Sequence, residues 1–385
     1  VSHQRSILLV TNDLGPRAGG IETFILGLID QLVIAHRAGG QIVILTSTQP
    51  GSEKFDQDLM ARTGVVVIRD RAKVLLPSPR VNRVAARIAR EYGCTTVWFG
   101  AAMPLAWMAG HLKRAGVKNL LAITHGHEVW WSKLPVFRQI FKQSTKSLSH
   151  LTYLGEFTRS AMQGAVSKNC TMVQIAPGIP IDHFVPSQKS KELVAQYDLA
   201  GKKVVVCVGR LVHRKGQDKL IEAWPEVLES HPDAVLLLVG IGPREKFLRN
   251  QVATRGLSRQ VRFVGRVAYN ELPQYFSLGD LFAMPSRSRL AGLEVEGLGI
   301  VYLEASSSGI PVLAGRSGGA PDAVLQGITG EVVDGTDVKK IAALTSRMLS
   351  EPERLREMGA AGRVWAVEKW SWQIWGDKFA QLLGL

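Results

Sequence analysis

Three glutamates, Glu294, Glu296 and Glu304, surround Gly297 and Gly299 in the stretch LEVEGLGIVYLEASSSG (293–309). The glycines lie just before the periodic run IVYLEAS, so a helix is predicted to begin there, and the free amides of such a start favour an anion. Carboxylates in the same place would repel one. The conflict eases if the groups divide the work. The backbone from Gly297 through Leu298 to Gly299 can face phosphate, while Glu304 accepts from a ribose diol and Glu296 from the hydroxyls of a sugar. Glu294, two residues earlier, is a second carboxylate able to meet the sugar.

Two further segments have the character of strand-end turns. In VVVCVGRLVHRKGQDKLIEA, Arg210 closes an apolar run and Lys215 precedes Gly216. An Arg fork and a Lys point charge on one loop can hold a diphosphate, although a solvated loop with incidental cations would look the same. In VTNDLGPRAGGIETF, Gly15, Gly19 and Gly20 follow the first apolar run. The spacing is not GxGxxG and no acid ends the next strand, which disfavours a dinucleotide cofactor. Gly19 and Gly20 would still admit a phosphate or sugar close to the backbone, or serve only a tight turn. Asp56-Gln57-Asp58 is a DxD string that does not follow a strand-like run, and a solvated helix start accounts for it.

The elements that must carry these residues alternate between short Val/Ile/Leu runs and longer segments of helical period, the pattern of parallel sheets covered by helices. Strands are predicted at 6–12, 41–47, 64–70, 95–101, 119–126, 150–155 and 171–177, with helices at 21–36, 81–93 and 104–116 among them. The stretch PGIPIDHFVPSQKSKEL (177–193) interrupts this rhythm as a linker would. Strands resume at 202–210, 234–242, 260–267, 281–286, 309–316 and 330–335. The aromatic, amphipathic segment EKWSWQIWGDKFAQLLGL (368–385) can pack back on the first half or cap the second locally.

At 385 residues with 46% apolar composition, the chain exceeds what one core usually serves, so two domains are expected. No uninterrupted apolar stretch is long enough to span a bilayer, and a soluble, intracellular protein is expected. Cys94, Cys170 and Cys207 are distant from one another and lie in or beside apolar runs, which suits reduced core residues. The net charge of +14 is concentrated early: residues 1–183 hold 21 Lys/Arg against 11 Asp/Glu. An acidic partner is implied, whether nucleic acid, membrane or phosphorylated substrate.

The order of the early GG turn, GR…KG and EGLGIVYLEA resembles the retaining GT-B glycosyltransferases of family four over nearly the whole chain. The resemblance implies two Rossmann-like, doubly wound α/β domains facing a central cleft. Residues 1–183 would bind the acceptor and 184–368 the sugar nucleotide; for 369–385 a return to the first domain and a local cap both stay open. It gives Arg210 and Lys215 to the diphosphate, Gly297, Leu298 and Gly299 to its oxygens, Glu304 to the ribose, and Glu296 or Glu294 to the donor sugar. FVGRVAYNEL matches the region that contacts the base, through the backbone at Val267. Gly19 and Gly20 would close over the phosphate and sugar. In LLAITHGHEVWW, His125 or His127 would hydrogen-bond the sugar or the leaving phosphate. No metal or other cofactor is expected, since cations would neutralise the leaving group. Front-side attack is favoured because no carboxylate can be assigned beneath the anomeric carbon.

Arg80, Arg83, Arg87 and Arg90 recur at steps of three and four in PSPRVNRVAARIAREYG, and Arg138, Lys142 and Lys146 in WWSKLPVFRQIFKQSTKS beside Trp130, Trp131, Phe137 and Phe141. Such faces suit an anionic membrane or simply solvent. Within the family the sequence looks like the actinobacterial mannosyltransferases acting on phosphatidylinositol monomannoside. That implies GDP-mannose as donor, an anionic membrane glycolipid as acceptor, and a cytoplasmic enzyme peripheral to the inner face of the plasma membrane. A UDP-sugar-dependent transferase with a soluble acceptor is the alternative. A nucleic-acid-binding protein would account for the charge, but no reading motif accompanies it.

Overall fold

A computed structural model describes residues 6–16, 19–35 and 40–385 of the chain. They form two compact units, one holding the chain up to Gly178 together with Trp372–Leu385, the other Ile179–Ser371. Every run predicted as a strand is one.

In the first unit β1 (Ile7–Thr11), β2 (Ile42–Ser47), β3 (Val66–Asp70), β4 (Thr96–Phe99), β5 (Asn119–Ala122), β6 (His150–Tyr153) and β7 (Thr171–Gln174) lie in the order β3-β2-β1-β4-β5-β6-β7. All adjacent pairs are parallel. Helices on both faces bury the central strands completely, which is why β1, β2 and β4 read as unbroken apolar runs rather than alternating ones. The helix predicted at 21–36 spans Gly20–Ala35, and His36 lies outside the described residues. The helix predicted at 104–116 is instead a 3₁₀ turn, Leu105–Met108, followed by Ala109–Arg114.

The helix Trp372–Leu383 belongs to this unit. Its Phe379 meets Trp98 edge-on at 5.0 Å, and the carbonyls of Leu382 and Leu383 accept from Asn119 Nδ2 (2.8 Å) and Thr96 Oγ1 (3.2 Å). Gly27 has to lack a side chain here, since a Cβ would lie 2.3 Å from the Trp372 ring.

The second unit contains β8 (Val204–Val208), β9 (Val235–Val239), β10 (Val261–Gly265), β11 (Leu281–Met284), β12 (Val312–Gly315) and β13 (Gly330–Val333), ordered β10-β9-β8-β11-β12-β13 and again parallel. In each sheet the strand order reverses once, at β1/β4 and at β8/β11. Crevices beyond the carboxyl ends of strands at such a reversal are where open α/β sheets bind ligands.

Cys94, Cys170 and Cys207 are buried and unpaired. Among the described residues no helix is long and apolar enough to cross a membrane.

Candidate active site

The loops leaving β8 and β11 assemble most of the residues singled out in the second half. Arg210 follows β8 at the surface, and its guanidinium makes no hydrogen bond or ion pair among the described residues. Lys215 is buried one turn later. There Gly216, at φ 78°, starts the helix Gln217–Ser230, and a Cβ on it would stand 1.9 Å from the Pro285 carbonyl. The left-handed turn and this close approach both require glycine.

Lys215 Nζ lies 2.9 Å from Glu296 Oε2, with Arg214 Nε at 3.7 Å from the same oxygen. Glu296 is buried, and its own amide donates to Ser317 Oγ at 3.2 Å. Glu294 is turned elsewhere: Arg289 Nη1 holds it at 2.7 Å, and the backbones of the two residues exchange hydrogen bonds of 2.8 and 3.2 Å. The two carboxylates are thereby separated, Glu296 to the buried lysine and Glu294 to a surface hairpin.

The helix predicted after Gly299 spans Ile300–Ser307, with Gly299 at φ 83° and no side-chain cap. The amides of Gly297, Leu298, Gly299, Ile300 and Val301 donate to no group among the described residues. A short run of unbonded amides at a helix start is an anion cradle. Gly318 and Gly319 support it, since a Cβ on either would come within 2.2 Å of the Glu296 carbonyl and 2.1 Å of the Gly297 carbonyl. Glu304, one turn into the helix, has its carboxyl pushed up to about 7 by burial, against the downward pull of Lys215. Val267 follows β10, half-buried, with its amide and carbonyl unbonded among the described residues.

In the first unit Gly20 opens the helix after β1, and the Gly19 amide donates to Glu22 Oε2 at 3.1 Å. Nothing among the described residues lies within 4 Å of a Cβ built on Gly19 or Gly20. Neither packing nor a left-handed turn requires those two glycines, in contrast to Gly216 and Gly299. Glu22 itself is buried, and burial raises its carboxyl above the ordinary range despite the Gly19 bond.

His125 follows β5, with its amide on Glu128 Oε2 (2.8 Å) and its Nε2 on the Gly100 carbonyl (2.5 Å). A carbonyl only accepts, so Nε2 carries the proton. Burial lowers the imidazole below its ordinary range in spite of Glu128, so the ring is neutral and Nδ1 is an acceptor. Nδ1 of His125 can therefore accept a hydrogen bond from a hydroxyl but cannot donate one to a phosphate. His127 is exposed, stacked on His125 with ring centroids 6.1 Å apart, and 3.6 Å from Glu128 Oε1.

The basic faces are more divided than their spacing suggested. Arg80 forks onto Asp70 at 2.7 Å through both nitrogens and is a structural partner, whereas Arg83, Arg87 and Arg90 are exposed. Phe141 is fully buried, and Trp130, Trp131 and Phe137 pack on one another at 4.6–5.1 Å. Leu134, between the helices Val129–Lys133 and Pro135–Ser144, and Val136, in the first turn of the second, stand outward. Asp56 is a correction: Arg69 forks onto it at 2.7 Å, so it is not a solvated residue.

Residues 189–365 match the family model described as glycosyl transferases group 1. The chain is 42% identical to the GDP-mannose-dependent alpha-(1-6)-phosphatidylinositol monomannoside mannosyltransferase of Mycolicibacterium smegmatis, over 98% of each chain. The chain belongs to the group 1 glycosyltransferases. The transferase is also 41% identical to the corresponding monoacylated-substrate enzyme of Corynebacterium glutamicum, over 100% of this chain and 99% of that one. Among solved structures it resembles Anabaena HepE in complex with UDP (TM-score 0.78, 20% identity, 98% and 99% coverage). It is likewise similar to the sucrose-phosphate synthase of Thermosynechococcus elongatus (TM-score 0.77, 22% identity, 98% of each chain). These likenesses identify the transferase's fold as GT-B.

Several neighbours of the predicted residues escaped sequence reasoning: Arg214, Ser317, Gly318 and Gly319 in the second unit, and Glu22 in the first. RSGGAP, directly after an apolar run, carries the same strand-end glycine signal as the motifs that were used. Nothing in the sequence marks Glu22 beyond its place three residues after Gly19.

Proposed function

We propose that the enzyme transfers mannose from GDP-mannose to a phosphatidylinositol-mannoside glycolipid, with retention at the anomeric carbon. The observation that carries this is the 42% identity, from end to end, with an enzyme of that donor and acceptor. The site geometry agrees with it. Lys215 and the unbonded amides from Gly297 to Val301, with Arg210 on the same strand-end loop as Lys215, would cradle a diphosphate; the free Val267 backbone would suit a base and Glu304 a ribose.

Glu296 Oε1 has no partner among the described residues and would accept from the sugar, with Lys215 holding Oε2. Glu294, tied to Arg289, plays the lesser part. Neutral His125 Nδ1 would accept from a sugar hydroxyl, and Gly19 and Gly20, with open space beside them, would let a phosphate or sugar approach the backbone.

The acceptor hydroxyl oxygen attacks the anomeric carbon from the face that the diphosphate leaves. The bond from that carbon to phosphate oxygen breaks, and the departing GDP takes the acceptor proton. Catalysis rests on charge stabilisation of GDP by Arg210, Lys215 and the amides, with no metal required.

The acceptor sits in a bilayer, so the enzyme works as a peripheral protein at the inner face of the plasma membrane. Arg83, Arg87 and Arg90 on one helix, and Lys142 and Lys146 near Leu134 and Val136 on another segment, would draw it to anionic lipid.

Purified enzyme incubated with labelled GDP-mannose and extracted lipids, in the presence of a chelator, is expected to give a labelled mannolipid. Transfer from UDP-sugars alone, or only to water-soluble acceptors, would overturn the reading.

A further inference from the structure

The four residues after Pro285 each reach a different part of the site. Ser286 Oγ pairs with the Tyr302 hydroxyl at 2.8 Å, in the helix of the amide cradle. Ser288 Oγ is 3.5 Å from Ser317 Oγ, the group that takes the Glu296 amide. Arg289 holds Glu294. Arg287, buried between them, holds the lysine loop. Its Nη1 donates to Asp218 Oδ1 at 2.9 Å, and its Nη2 to Asp218 Oδ2 at 2.7 Å and to His213 Nδ1 at 2.6 Å. Its amide donates to the Arg214 carbonyl at 2.8 Å.

These anchors bracket Lys215 on both sides. The chemistry is self-consistent: Nδ1 of His213 accepts, so that imidazole is neutral, and burial followed by Arg287 lowers it below its usual range. Burial alone would raise Asp218, but the guanidinium outweighs it and the carboxyl is held below its usual range. A buried ion pair adds little to stability over an apolar pair of the same size, so its worth here is the geometry it imposes.

We infer that Arg287 is a positioning residue of the transferase, whose fork onto Asp218 and His213 fixes the His213–Asp218 backbone and so sets Lys215 against Glu296 beside the amide cradle. The inference rests on reading that cradle as the diphosphate site. No substrate contact is assigned to Arg287, which acts through Lys215.

Three variants test it: R287K, D218N, and R287M/D218L, which removes both charges of that pair so that neither is left buried without the other. In each, amide exchange across 213–218 is expected to quicken. The KM for GDP-mannose should rise about tenfold or more, as for loss of a charged hydrogen bond, and kcat should fall. The R287M/D218L double variant separates the roles. If the fork serves stability alone, apolar replacement recovers both the melting temperature and turnover, and the inference fails. If the fork positions Lys215, the melting temperature recovers and turnover does not. Unchanged exchange and kinetics in folded R287K would also overturn it. Should wild-type protein bind no GDP while the variants still loosen 213–218, the diphosphate reading falls and the brace stands.

Discussion

Lys215 and Arg210 share a proposed task but differ in surroundings, and substitution should separate the two. Lys215→Ala leaves Glu296 buried and short of its cation, so the variant is expected to lose about 1–3 kcal/mol of stability along with orders of magnitude in turnover. Arg210 is exposed and has no ion-pair partner among the described residues; Arg210→Ala should cost turnover on the same scale with an unchanged melting temperature. Near-normal turnover in both would remove the diphosphate assignment.

Glu304 gives a pH dependence with a definite sign. Its folded carboxyl titrates at about 7 against an ordinary 4.5, so its contribution to stability is full below 4.5 and lost as pH rises through 7. Glu304→Gln stays neutral throughout. Between pH 5 and 8 the wild type should lose about 2 kcal/mol relative to that variant, less than the full shift because the side chain is partly solvated. Urea unfolding at several pH values measures the difference; parallel curves for the two proteins would contradict it.

At the scale of elements, the glycines divide into those the fold requires and those it does not. Gly299→Ala combines a left-handed turn with a ring contact, a Cβ falling 2.4 Å from Tyr302, and is expected to destabilise the second unit by about 1–3 kcal/mol. Gly19→Ala and Gly20→Ala should leave stability unchanged within about 0.5 kcal/mol. If a phosphate or sugar approaches that backbone, both should nonetheless lose activity. Unaltered kinetics would return the pair to the role of a simple turn.

The same contrast shows what the sequence could carry. The parallel sheets were legible because buried strands are uninterrupted apolar runs, and the helix at Ile300 because Gly299 precedes a periodic segment. The allocation of charges was not. LEVEG offers two glutamates in equivalent sequence settings, and only the hairpin that brings Arg289 against Glu294 leaves Glu296 to Lys215. Arg80 likewise shares a helical face with Arg83 and Arg87, yet Asp70 on β3, ten residues away, claims it. Ion pairing depends on neighbours supplied by tertiary structure, which periodicity does not encode.

For the molecule as a whole, the excess of cations in the first half and the outward Leu134 and Val136 bear on lipid binding. Co-sedimentation with anionic vesicles is expected to fall as salt rises. Val136→Asp should weaken it further without affecting GDP binding. Equal binding to neutral vesicles would argue against the electrostatic part.

The return of Trp372–Leu385 makes the first unit discontinuous in sequence. Phe24, Gly27 and Trp98 wait for partners that are translated only after the second unit is complete. The first unit therefore cannot complete its core until that helix is available, whereas the second is built from one continuous stretch of chain.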